Sequence, residues 1–240
     1  MIYLGIDDTD TLDDPGTNQL ARHLIKCLAD EYQGRLILRH QLLEDPRVPC
    51  TRKNGCASIL LEPRADAPID GLANRIREIM LPWCPVGSDP GLCIAESVPA
   101  AVIEFGRRCQ RELVRQQHAF DLAAAHGIFL EGLGGTNDGV IGALAAIGLM
   151  ATKDDGRVIY CGSADSDLYD ISGWQTVDTI HCQGVAEIRS IETCETITAG
   201  SIDLGKRLRP NFRQGKVVLF ASAISEGLGE PPHWQAVRVV

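Results

Sequence analysis

The first ten residues place the strongest limit on how this chain can fold. Ile2, Tyr3 and Leu4 form a short apolar run rich in strand-favouring residues, and Gly5-Ile6 leads it directly into Asp7-Asp8-Thr9-Asp10. Such a run, closed by polar turn formers, predicts a buried strand whose carboxyl end delivers aspartates into a loop. Alternate side chains of an extended segment share a face, so Asp8 and Asp10 would point one way and Asp7 would join them only after a turn. Carboxylates that close raise each other's pKa unless a cation neutralises them, and hard oxygen donors suit Mg²⁺. A solvated loop capping the next helix is the alternative, since Asp and Asn are favoured at caps and turns. The metal reading is preferred, because a buried strand feeding consecutive acids is a recurrent layout for phosphate chemistry.

Apolar residues at Leu20, Leu24, Cys27 and Leu28 predict a helix over 19–32 with Thr17 or Asn18 as its cap. Its positive end would lie near the acids, where a phosphate could bridge metal and helix. Strands are expected over 35–43 and 56–62. The loop between them holds Thr51-Arg52-Lys53 before an Asn54-Gly55 turn, a hydroxyl and two cations that suit a triphosphate or simply a solvated connection. Helices are expected over 69–80, 98–117 and 120–126, with a short strand over 92–95. The arginines at 107, 108, 111 and 115 read as a solvated face. Gly132-Leu133-Gly134-Gly135-Thr136-Asn137-Asp138-Gly139 then opens an apolar, small-residue helix over 140–148. A loop of this kind can turn backbone amides toward a phosphate, although no Gly-Lys-Ser/Thr follows and it is not a Walker A loop.

From residue 165 onward short strand-like runs over 175–180, 185–191, 216–223 and 234–240 predict a small β-rich module. Lys206, Arg207, Arg209, Arg213 and Lys216 fall within eleven residues without an acid among them. The preferred reading is a basic hairpin on an acidic protein, and a phosphate or nucleic-acid patch is the alternative. The formal net charge of -9 argues against charge-driven nucleic-acid binding over the whole surface, so an RNA partner would be recognised locally. Nine cysteines without a Cys-x-x-Cys pair offer no zinc ribbon. With no signal-peptide pattern or membrane-length apolar run, they point to reduced thiols in the cytoplasm. The histidines at 40, 118, 126 and 181 read as surface or core residues.

Three blocks, Gly5-Ile6-Asp7-Asp8-Thr9-Asp10, Thr51-Arg52-Lys53-Asn54-Gly55 and the run from Gly139 to Gly148, together resemble the archaeal tRNA(Ile) agmatinylcytidine synthetases in order and rough spacing. The resemblance runs from residue 1 to about 160 and marks the chain as a short relative without the zinc ribbon. It implies a kinase-like domain over 1–87 and a ferredoxin-like domain over 88–165, and with the strand and helix pattern and the β-rich module over 166–240 the expectation is an α+β protein with mixed sheets. The implied activity uses ATP and Mg²⁺ to activate a carbonyl-type oxygen by phosphoryl transfer, so that an amine displaces the phosphate from tRNA or a small acceptor. By position, Asp7, Asp8 and Asp10 would hold the metal and act with Arg52 in catalysis. Thr9, Thr51, Lys53, Asn54 and Gly55, with Gly134, Gly135, Asn137, Gly139 and Gly142, would line the nucleotide cleft. A non-catalytic nucleotide-binding module and a metal-dependent phosphohydrolase are the competing expectations.

Overall fold

The computed structural model describes residues 1–240 except 13, 49, 52, 65, 66, 68–70, 226–232 and 240. The chain forms two compact units, Met1–Thr152 and Lys153–Val240.

In the first unit the order is β1 (Ile2–Asp7), α1 (Thr17–Cys27), β2 (Tyr32–Arg39), β3 (Ala57–Pro63), α2 (Leu72–Met80), β4 (Gly91–Ala95), α3 (Ala100–Cys109), α4 (Gln116–Ala125), β5 (Phe129–Gly132) and α5 (Gly139–Ala151). Its strands lie in the order β5-β4-β1-β3-β2, each antiparallel to its neighbours. The short apolar strand read from the sequence is therefore central, with β3 and β4 on either side. Ile2, Leu4 and Ile6 are fully buried on one face of it. That face also carries Leu61, which pairs with both Ile2 and Gly34, and a Cβ at Gly34 would meet Ile25 of α1 at 2.6 Å. The opposite face is covered by α5: a Cβ at Gly5 would stand 2.0 Å from the Ala143 carbonyl oxygen, so helix and strand backbones touch. Gly148 and Gly106 admit α3 to the same helix in the same way. α5 is apolar on every side and almost wholly buried, as expected of a helix with protein all round it.

The second unit runs β6 (Arg157–Cys161), β7 (Trp174–Thr176), α6 (Val177–Cys182), β8 (Glu187–Ser190), β9 (Ser201–Asp203), β10 (Asn211–Arg213), β11 (Lys216–Ser225) and β12 (His233–Ala236). Here pairing is mixed: β10 and β12 run antiparallel to β11, whereas β8 runs parallel to it, as β9 does to β12. The protein is thus α+β. The expected division near residue 87 falls inside the first unit, where β4 pairs with β1.

Several elements differ from their sequence reading for local reasons. The single helix expected over 98–117 is two: α3 stops at Cys109, whose carbonyl accepts the Leu43 amide at 3.0 Å, and Gln110 reaches the Gln41 carbonyl at 3.1 Å. The strand expected over 175–180 breaks after Thr176, whose Oγ1 accepts the Thr179 amide at 3.2 Å and caps α6. At α1 the cap is Gly16, and Thr17 is the first helical residue. β5, β6, β9 and β10 are three to five residues long and carry too little periodicity to be seen in the sequence.

Candidate metal and nucleotide site

β1 ends at Asp7, and the turn that follows is made at Asp8, which adopts a left-handed φ of 49°. Aspartate tolerates that region better than most residues. The loop is then pinned from three sides. Thr9 is fully buried and donates its hydroxyl to Thr17 Oγ1 at 3.1 Å, while Thr17 donates to Asp10 Oδ1 at 3.2 Å. Thr51 Oγ1 donates to the Asp10 carbonyl at 3.3 Å, which brings the second sequence block to the first. The Asp89 amide donates to the Asp8 carbonyl at 3.1 Å.

These contacts gather negative charge at one end of β1. Burial pushes the Asp7 carboxyl up to about 7, helped by Asp8 and then Asp10, against the Asp8 amide and the Arg39 guanidinium. Asp8 is pushed up to about 6, first by burial and then by Asp89, Asp10 and Asp138, against the Asp89 amide. Keeping both groups ionised side by side without a cation therefore works against the folded state. Asp89, Asp138 and Arg39 were not singled out by the sequence. Asp89 and Asp138 stand beside glycine-rich turns that read as loop chemistry, and Arg39 closes a strand; only folding places all three by the acids.

The glycines of the third block have specific neighbours. A Cβ at Gly142 would lie 1.7 Å from Asp7 Oδ2, and one at Gly139 would lie 2.0 Å from the Asp89 carbonyl oxygen. Gly135, at φ 60°, stands against the Asp89 carboxylate, which accepts the Thr136 amide and, at 2.7 Å, the Thr136 hydroxyl. One amide of the loop is thus taken by the protein's own carboxylate. Asn137, at φ 66°, packs its side chain against Gly132, and Gly134 meets Pro90 at ordinary contact distance. In the second block, Asn54 is structural: its Nδ2 donates to the Leu43 carbonyl at 2.8 Å, and its own carbonyl accepts the Leu42 amide at 3.0 Å. Gly55 lies under the Arg39 guanidinium and the His40 carbonyl. Lys53 is exposed and pairs with Glu44 at 3.7 Å. Arg52 lies outside the described residues.

The donor set fits a hard divalent cation in kind, being carboxylate only. Among the described residues no three His, Cys, Asp or Glu side chains converge as a ready-made metal cage. Mg²⁺ does not need one, since it is commonly held by one or two carboxylates together with water and substrate phosphates. Asp8 and Asp10 are the side chains that would hold it. Asp7, partly exposed like the other two, stands against α5 at Gly142.

No family model matches the chain, and no curated protein matches it by sequence. Solved structures do. A tRNA fluorescent labelling enzyme matches with a TM-score of 0.55 at 23% identity, covering 61% of this chain and 35% of the other. The TiaS–tRNA(Ile2)–ATP complex matches with a TM-score of 0.55 at 23% identity, covering 61% and 36%. Apo TiaS, described as tRNA(Ile2) agmatidine synthetase, gives 0.54 at 22%, covering 61% and 35%. The match takes in about a third of the length of these proteins. Over 61% of its length, then, the chain has the fold of TiaS.

Proposed function

We propose that the chain is an ATP- and Mg²⁺-dependent enzyme that phosphorylates a carbonyl-type oxygen so that an amine can displace it, as the activity implied by agmatidine synthetase would require. The observation that carries this reading is the set of aspartates at the end of β1, two of them held well above the usual carboxylate range, in a fold shared with structures solved with ATP and tRNA. In the first step the acceptor oxygen attacks a phosphorus of ATP and the nucleotide leaves with the bridging-oxygen electron pair. In the second, the amine nitrogen attacks the activated carbon, the C–O bond breaks with its electron pair leaving on phosphate, and the nitrogen gives up a proton. Phosphoryl transfer asks a protein chiefly for positioning and charge neutralisation.

A bound Mg²⁺ would neutralise the phosphate oxygens as charge moves onto the leaving group. Asp8 and Asp10 hold that cation in this account. The hydroxyl relay from Thr9 through Thr17 keeps the Asp10 carboxylate aimed, and Arg39 offsets part of the charge on Asp7. In this account Thr51, tied to the Asp10 carbonyl, and the 134–142 loop would flank the nucleotide. A tRNA acceptor and an agmatine-like amine are the partners this fold suggests. The test is Asp8→Asn, which keeps the left-handed turn and removes the charge: Mg²⁺-dependent consumption of ATP should fall at least about a hundredfold, the scale set by loss of one electrostatic contact to a transition state. Turnover at the native rate in this variant would refute the assignment.

A further inference from the structure

The second unit carries a convergence of positive charge that the aspartate site does not use. Lys206, Arg207, Arg209 and Arg238 line one small concavity, completed by Leu204, Ala236 and Val237, in a protein of formal net charge -9. Two separated stretches build it, the segment after β9 and the segment after β12. Both are fixed by backbone bonds: Leu208 to the Ile171 carbonyl at 2.8 Å, Gly173 to the Gly205 carbonyl at 2.9 Å, and Val237 to the Phe220 carbonyl at 2.8 Å. Asn211 Nδ2 holds the Val239 carbonyl at 3.0 Å. The Arg207 guanidinium carbon sits 4.5 Å from the centre of the Tyr169 ring, which fixes its orientation.

Among the described residues the charge is not balanced from within. Asp203, the closest acid in sequence, turns its carboxylate to the Gly205 amide at 2.9 Å. Among the described residues none of the four cations has a carboxylate partner, whereas Lys216 is paired with Glu187, and Arg213 donates to the Phe212 carbonyl at 2.9 Å. The basic cluster read from the sequence therefore divides. Two of its five members, Arg213 and Lys216, are occupied elsewhere, and Arg238 arrives from the far end of the chain to join the other three.

Guanidinium groups cannot relieve crowding by losing a proton, so an anion is the natural relief. Burial, then Arg238 and Arg207, hold Arg209 below its ordinary value. The concavity offers about 40 Å³ of free space. That is room for roughly three waters, enough for a tetrahedral oxyanion and too little for a whole nucleotide. Forked guanidinium donors match phosphate oxygens in pairs. We propose that Lys206, Arg207, Arg209 and Arg238 form a phosphate-oxyanion site, taking either a phosphodiester of an RNA strand or the phosphate of a small phosphomonoester.

The experiment compares the native full chain with R209Q/R238Q, and with R107Q/R111Q, which removes the same charge from an exposed helix face. Inorganic phosphate is titrated by calorimetry and a short single-stranded RNA by fluorescence anisotropy over a range of salt. R209Q/R238Q should weaken at least one probe about tenfold or more, the loss expected for charge-assisted hydrogen bonds, with R107Q/R111Q unaffected. Loss with RNA alone assigns the phosphodiester, and loss with inorganic phosphate assigns the small phosphate. For RNA the salt slope should also flatten by about 0.7 per phosphate contact removed. R238Q alone, at an exposed position, keeps the test decisive if the double variant does not fold. The proposal is overturned if neither probe binds the native protein, or if both bind the arginine variants as tightly as the control. The readout is independent of ATP turnover, so its failure and the failure of the aspartate site are told apart.

Discussion

At the level of single residues, the fold keeps carboxylates close together at a cost. An unfolded aspartate loses its proton near 3.8, whereas Asp7 and Asp8 in the folded chain hold theirs to about 7 and about 6. Between these values the folded state binds more protons than the unfolded one. The contribution of this pair to stability therefore falls as pH rises from about 4 to about 7. Thermal unfolding in a chelator should show that decline, and D7N/D8N should flatten it; a native pH profile indistinguishable from the variant's would contradict the raised values. Saturating Mg²⁺ should restore stability at pH 7.5 in the native protein and not in D8N, by the ordinary linkage of ligand binding to folding. The aspartate motif was legible as a strand tip closed by acids, whereas Thr51 was read only as a nucleotide contact and its bond to the Asp10 carbonyl was not foreseen. Asp89 and Asp138 were not legible. No periodicity marks them, and their role appears only when the Asp89 amide binds the Asp8 carbonyl.

At the scale of elements, the contact between β1 and α5 positions the site. Gly5 and Gly142 keep the helix against the strand and against the Asp7 carboxylate. G142A would place a methyl group where Asp7 Oδ2 now lies, and should cost about 1–3 kcal/mol of stability, the range for overpacking a filled site. Because it displaces Asp7 it should also weaken Mg²⁺-dependent nucleotide binding. G5A should cost a similar amount by driving α5 off the strand, read as a lowered denaturant midpoint. An unchanged midpoint for both would mean that the helix is free to shift and does not fix the site. The small residues of this helix were assigned to close packing, and the contacts of Gly142 with Asp7 and of Gly148 with the Val102 carbonyl agree. Helix ends were read less well. The stop at Cys109 and the cap at Thr176 depend on partners that propensity does not encode.

At the scale of the molecule, negative charge is gathered in the first unit and a positive concavity stands in the second, under an overall charge of -9. The α+β class followed from alternating strand and helix patterns. The unit boundary at 152 did not, because Leu81 to Gly91, rich in proline and glycine, reads as a linker while β4 just beyond it returns to pair with β1. In the proposed function the aspartates receive Mg²⁺ together with a nucleotide. Calorimetric titration of the native protein and D8N with ATP, with and without Mg²⁺, tests it most directly, followed by chromatography of the nucleotide that remains. Saturable binding to the native protein is expected only when Mg²⁺ is present, with its loss in D8N, and ADP or AMP should accumulate once tRNA and an amine are supplied. Equal binding by both proteins, or none by the native one, would contradict it.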